Sequence, residues 1–106
     1  MIKSIEILIS SGINEIYNVI IFPEKKTTYI NNKKHDIDDE YINSIINIIY
    51  LWKEEYGYDN RIDSEEFKVT VTADDGTTTF HGKGYYPYNY VLLKDIIVQI
   101  NGNWIR

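Results

Sequence analysis

The chain contains no cysteine, which removes a disulfide framework, a thiolate nucleophile and any cysteine metal cluster from consideration. Histidine is scarce: His35 and His81 fall in different predicted elements. His35 stands beside Asp36 and Asp38, but the stretch lacks the turning glycine of a calcium loop, and helix capping accounts for its acids. Positive charge is also outnumbered, with 11 Lys and Arg against 16 Asp and Glu. A net charge of -5 opposes a nucleic-acid backbone, which draws most of its protein affinity from clustered Lys and Arg. Long apolar runs are missing as well. Glu6 interrupts the N-terminal run, no small-x-small cleavage site follows it, and Asn43, Ser44 and Asn47 break the longest helical pattern. Neither a signal peptide nor a membrane span of about 20 apolar residues is therefore expected. These absences lead to a cytoplasmic, non-membrane protein with no cofactor, no metal and no direct nucleic-acid binding.

What is present is a foldable chain. At 106 residues, with 43% hydrophobic and 25% charged residues, it has material for one core and too little for two. Residues 1–106 are read as a single α+β domain. Its charge is uneven. Residues 1–35 hold five Lys against three acids, a net +2; residues 36–75 hold twelve acids against three bases, a net -9; residues 76–106 return to +2. The acidity belongs to the middle third, where it favours solubility or a positively charged partner.

Alternation of Ile5, Ile7 and Ile9 predicts a first strand with one core face. Ser10-Ser11-Gly12 signals a turn, Ile16 to Phe22 a second strand ended by Pro23, and Thr27 to Ile30 a short third strand. Asn31 to Lys34 reads as exposed loop. Asp36 is the expected cap of the main helix, with Asp38 and Asp39 in its first turn. Ile42, Ile45, Ile46, Ile49, Trp52 and Tyr56 recur at helical spacing, so the helix is expected to run to Gly57. Phe67, Val69, Val71 and Ala73 alternate again. Asp75-Gly76 predicts a two-residue hairpin pairing Asp74 with Thr77 and Val71 with Phe80. Gly82 and Gly84 permit a bend, Asn89 is the expected cap of a last helix buried through Leu93, Ile96, Ile97 and Ile100, and Asn101-Gly102 stops it. The order β-β-β-α-β-β-α predicts an antiparallel β-sheet packed by two helices on one face. Trp104 and Ile105 either fold back or form a small patch.

No catalytic set emerges. Adjacent carboxylates such as Asp38-Asp39, Glu54-Glu55 and Glu65-Glu66 diverge in either helix or strand geometry, so none flanks a single bond. Gly82-Lys83-Gly84 lacks the spacing and hydroxyl of a phosphate loop. Four of the ten tyrosines instead crowd into Tyr85-Tyr86-Pro87-Tyr88-Asn89-Tyr90. Tyrosine joins a large apolar ring to a polar tip, which suits both a half-buried corner and a recognition surface. Tyr86-Pro87 reads as the corner, and Tyr85, Tyr88 and Tyr90 are the contact candidates where their rings are exposed.

Two stretches resemble the emfourin family of small bacterial inhibitors of thermolysin-like metalloproteases. One is Ile5 to Ile13 followed by Ile16 to Phe22; the other is Phe67 to Thr72, Asp75-Gly76, Thr77 to Phe80, Pro87 and Leu92-Leu93. The family's Gly-Gly-aromatic turn aligns onto Ser11, Gly12 and Ile13, of which Gly12 matches. The resemblance implies an inhibitor-like scaffold that presents loops to a protein partner.

The expected function is a small non-enzymatic protein-binding domain, an inhibitor, immunity or anti-defence protein acting by steric occlusion. Its contacts are expected at Ser11, Gly12, Ile13 and Asn14 and at Tyr85, Tyr88 and Tyr90. Two alternatives stand beside it. One is an acidic nucleic-acid mimic that blocks a nuclease or another DNA- or RNA-binding protein; the other is a structural module forming a homodimer through the helix stripe or Trp104.

Overall fold

The structure is a computed structural model that describes residues 1–12 and 14–102. Strand β1 (Ile2–Ser11) lies at the centre of one seven-stranded sheet, with β2 (Asn14–Phe22) on one side and β6 (Glu65–Ala73) on the other. Beyond β2 come β3 (Thr27–Ile30) and β4 (Lys33–Asp36); beyond β6 come β7 (Gly76–Lys83) and β5 (Glu55–Tyr58). Every neighbouring pair is antiparallel except β5 and β7. Helices α1 (Asp39–Ile49) and α2 (Tyr90–Asn101) cover one face.

Alternation on three adjacent strands builds that face. Ile5 stands between Ile21 and Val71, Ile7 between Val19 and Val69, and Ile9 between Tyr17 and Phe67. Pleating sends all of these side chains the same way, where they meet Ile42, Ile45 and Ile49 of α1 and Leu93 and Ile97 of α2. Each fully buried Ile, Leu or Phe contributes about 1.5–3 kcal/mol of apolar transfer energy. The opposite face is uncovered, and Glu6, Leu8 and Lys68 are exposed on it.

The α+β class, the antiparallel sheet and the two covering helices agree with the sequence pattern, but the element order gains two strands. Asn31 and Asn32 both take positive φ, 50° and 70°, and form a tight turn. Lys33 to Asp36 after it is β4, where a loop was expected. Its residues lack an apolar alternation because it is an edge strand, held by its ladder with β3. The α1 cap is Asp38, whose Oδ1 accepts from the Tyr41 amide at 3.0 Å; Asp36 is still in the strand. The helix stops at Ile49 and does not reach Gly57. Trp52 and Tyr56 keep the helical spacing because both rings turn to the same core, yet Glu55 to Tyr58 runs as β5, parallel to β7.

The β6–β7 hairpin turns at Asp74-Asp75, one residue earlier than the Asp75-Gly76 expectation, so Ala73 faces Gly76 and Val69 faces Phe80. Strand β1 holds this register: the Asp74 amide donates to the Met1 carbonyl at 3.1 Å. Phe80 stays on the core face because the change preserves strand parity. Helix α2 ends as expected, with Gly102 left-handed at φ 76°. Asn89 occupies its N-cap position, but its side chain makes no capping bond. Trp104 and Ile105 lie outside the described residues.

Candidate functional site

Two segments far apart in sequence meet at one end of the sheet. β1 finishes at Ser11, directly opposite Glu65 at the start of β6. The Glu65 carbonyl accepts from the Gly84 amide at 3.1 Å and from the Tyr86 hydroxyl at 2.7 Å. The Glu65 carboxylate takes the Tyr90 hydroxyl at 2.5 Å and the Lys94 ammonium at 3.0 Å. One residue therefore ties the β1–β2 turn, the tyrosine segment and the first turn of α2 together.

The tyrosines divide into two pairs. Tyr86 and Tyr90 stack with centroids 4.7 Å apart at 7°, and Tyr90 also packs on Phe67 at 5.1 Å. Tyr90 is 4% exposed, which removes it from the predicted contact set. Its phenol is pushed above its ordinary pKa by burial and then by the hydrogen bond to the Glu65 carboxylate. Tyr86 shifts in the same direction, first through burial and then through the Glu65 charge. Tyr85 and Tyr88 point outward, 56% and 92% exposed.

Glycine lets this segment approach so closely. A Cβ at Gly82 would stand 2.5 Å from the Tyr85 carbonyl and 2.9 Å from the Phe67 ring. At Gly57, φ is +122° and a Cβ would stand 2.9 Å from the Tyr85 ring. The bend expected at Gly82 and Gly84 is thus a seat for the tyrosines, and the Gly84 amide is occupied by the Glu65 carbonyl. Beneath it, Trp52 Nε1 donates to Asn89 Oδ1 at 2.7 Å, and Asn89 Nδ2 donates to the Ile48 carbonyl at 3.1 Å. This use of Asn89 replaces capping with a link between the end of α1 and the start of α2.

Ser11 and Gly12, at the end of β1, sit beside the loop at residues 59–64. Ser11 Oγ donates to the Asp63 carbonyl at 3.0 Å, and Gly12 takes φ +62° against the Ile62 carbonyl. Ile13 lies outside the described residues. Asp59 organises the loop: its carboxylate accepts from the Arg61 amide at 3.0 Å, Arg61 Nε at 2.9 Å and Ser64 Oγ at 2.9 Å. These bonds hold its carboxyl down to about 2, with the Arg61 side-chain bond the largest cause. Tyr58 and Ile62, 65% and 75% exposed, were missed as contact candidates. The available signal was the Asp59-Asn60-Arg61 sequence, because Asp and Asn fold back on their own backbone in turns.

The other predicted groups do not converge here. His81 lies on the uncovered face with Glu54, Glu66, Lys68, Thr77 and Thr79 around an open depression of about 680 Å³. Among the described residues, no cluster of three or more His, Asp or Glu is placed to hold a metal ion. No helix among them is long and apolar enough to cross a membrane. The acids of the middle third fall at several places: Asp39 pairs with Lys26 near β4 and Asp74 with Lys3 at the hairpin, while the Asp59–Arg61 and Glu65–Lys94 pairs share the tyrosine end. Comparison with protein-family models, with curated proteins and with solved structures finds no match to this chain.

Proposed function

We propose that this chain is a small, non-enzymatic protein-binding domain of the cytoplasm that occludes its partner sterically, as an inhibitor, immunity or anti-defence protein does. The carrying observation is the meeting of the Ser11-Gly12 turn and the tyrosine segment around Glu65, with Tyr58, Ile62, Tyr85 and Tyr88 exposed at that end. Rings with polar tips on a braced scaffold give contact area with little ordering cost on binding. Ser11, Gly12, Asn14, Tyr85 and Tyr88 carry the contact in this reading, with Tyr58 and Ile62 added and Tyr90 serving as their internal support. The resemblance in sequence to emfourin inhibitors, through the opening strands and the hairpin, favours an inhibitor-like scaffold that presents loops to a protein partner.

Acidic mimicry receives less support from the geometry, since mimicry needs aligned, free charges and four of these acids are taken up in ion pairs, Asp39 and Asp74 at places apart from Asp59 and Glu65. The two readings separate in affinity capture. Wild type and an Asp38→Asn, Asp39→Asn, Glu54→Gln, Glu55→Gln variant should retain the same protein, and a Tyr85→Ala, Tyr88→Ala variant should lose it. Loss with the acid variant and retention with the tyrosine variant would establish mimicry in its place. Turnover that disappears with His81→Ala would make the chain an enzyme.

A further inference from the structure

Strand β4 exposes an unpaired edge whose charges match themselves. One step beyond the β3–β4 ladder the Ile37 amide donates to the Lys26 carbonyl at 3.0 Å, which marks that step as a hydrogen-bonding position. Such pairs alternate along antiparallel strands. With Thr28 opposite His35 and Ile30 opposite Lys33, the alternation makes these hydrogen-bonded pairs too. Thr27–Asp36 and Tyr29–Lys34 are then the non-bonded pairs. The N–H and C=O groups of Lys34 and Asp36 consequently point out of the sheet, and among the described residues no hydrogen bond outside the strand ladders takes them up. Strand β4 is the last in the sheet order, and both residues are exposed.

We infer that β4 pairs antiparallel with β4 of a second copy of this chain, about a two-fold axis through His35. In that register Lys34 stands opposite Asp36 of the second copy, and Asp36 opposite its Lys34. Each pair exchanges two backbone hydrogen bonds at a Cα separation of about 5.5 Å. The two side chains lie on the same, uncovered face, where directly opposed unlike charges attract. Moving the axis by one residue would set Lys34 against Lys34 or Asp36 against Asp36, so the charges select one register. Lysine on an edge ordinarily discourages strand pairing; here the acid two residues later supplies the counter-charge. Strand β5, at the other edge, offers no such symmetry because its ladder is irregular between Glu55 and Tyr58. The association joins two sheets into one, with an isologous contact. It leaves the tyrosine ends free, because the β5–β7 side is the far side of the sheet from β4.

Analytical ultracentrifugation from about 10 µM to 1 mM covers the affinities expected of a short edge pairing. The mass should rise with concentration from the 12.5 kDa monomer towards a dimer, while hydrogen exchange at the Lys34 and Asp36 amides slows. Lys34→Glu or Asp36→Lys alone should weaken association by about tenfold or more. The exchanged pair, Lys34→Asp with Asp36→Lys, should restore it, with unchanged circular dichroism showing that the exposed substitutions leave the fold intact. A monomer throughout the range, a dimer indifferent to both single charge reversals, or a ladder of larger species from head-to-tail pairing would each overturn the inference.

Discussion

The layer between helices and sheet closes differently at its two ends. At the tyrosine end, Trp52, Phe67, Tyr86 and Tyr90 pack ring against ring over Gly82, and hydroxyl, indole and amide groups are bonded through Glu65 and Asn89. At the other end, Ile2, Ile5, Ile46, Ile49, Val71 and Phe80 leave an apolar cleft of about 180 Å³ beside exposed Tyr50 and Leu51. The difference follows from shape and chemistry. Flat rings pack closely where glycine admits them, and their polar tips reach backbone groups across elements. Branched aliphatic side chains have no such reach, and beside Ile46 and Ile49 of α1 they leave Ile2 and Val71 of the sheet half-buried.

Removing the central ring should affect the comparison most. Phe67→Ala is expected to cost about 3–5 kcal/mol, since Phe67 is fully buried and touches Trp52, Tyr56, Tyr86 and Tyr90. Denaturant titration measures it, and a cost near 1 kcal/mol would show that the aromatic end packs no better than the isoleucine end.

Gly82→Ala follows, at about 1–3 kcal/mol for an overpacked site. Its Cβ would press on the Tyr85 carbonyl, which is backbone and has little freedom to move. Loss of the Tyr86 hydrogen bond to the Glu65 carbonyl should accompany the fall in stability, and a chemical-shift comparison of Tyr85 to Tyr90 reads it directly.

Filling the opposite end should have the reverse sign. Ile46→Phe places a ring in the cleft and is expected to stabilise by about 0.5–1 kcal/mol, read as a rise in Tm of several degrees. A lower Tm would mean that the cleft cannot accept a ring without strain.

The smallest effect concerns acid sensitivity at the tyrosine end. Asp59 has its carboxyl lowered from 3.8 to about 2 in the fold, so its stabilisation is complete above pH 3.8 and is lost as pH falls through about 2. Asp59→Asn should flatten the stability curve between these values and leave the isoleucine end unaffected. An identical acid limb in wild type and variant would show that Asp59 is not the titrating brace.

Strands β1 and β6 were legible because alternating isoleucine, valine and phenylalanine carry their burial in the local pattern, β2 and β3 through β-branched and aromatic residues between turn signals, and β7 through the hairpin turn before it; α2 announced itself through its stripe and its Asn101-Gly102 stop. Strand β4 was not, because Lys33-Lys34-His35-Asp36 has no core face of its own and exists through its ladder to β3. The end of α1 was concealed by Trp52 and Tyr56, whose spacing imitates another helical turn while the chain has already left the helix. Of the candidate site, Tyr85 and Tyr88 and the Ser11-Gly12 turn were found as separate segments. Their meeting around Glu65, and the Asp59 loop beside them, were not visible.

The strand and helix periods already say which side chains leave water: they put Ile5, Ile7, Ile9, Phe67, Val69, Leu93 and Ile97 on core faces, and all of them are buried. Tertiary structure alone decided which tyrosines are scaffold and which are surface. Tyr88 and Tyr90 are near neighbours in one segment, yet one is 92% exposed and the other 4%. Local pattern cannot separate them, because Tyr90 is held inward by Phe67 and Glu65, contributed by a strand that becomes its neighbour only when the chain folds.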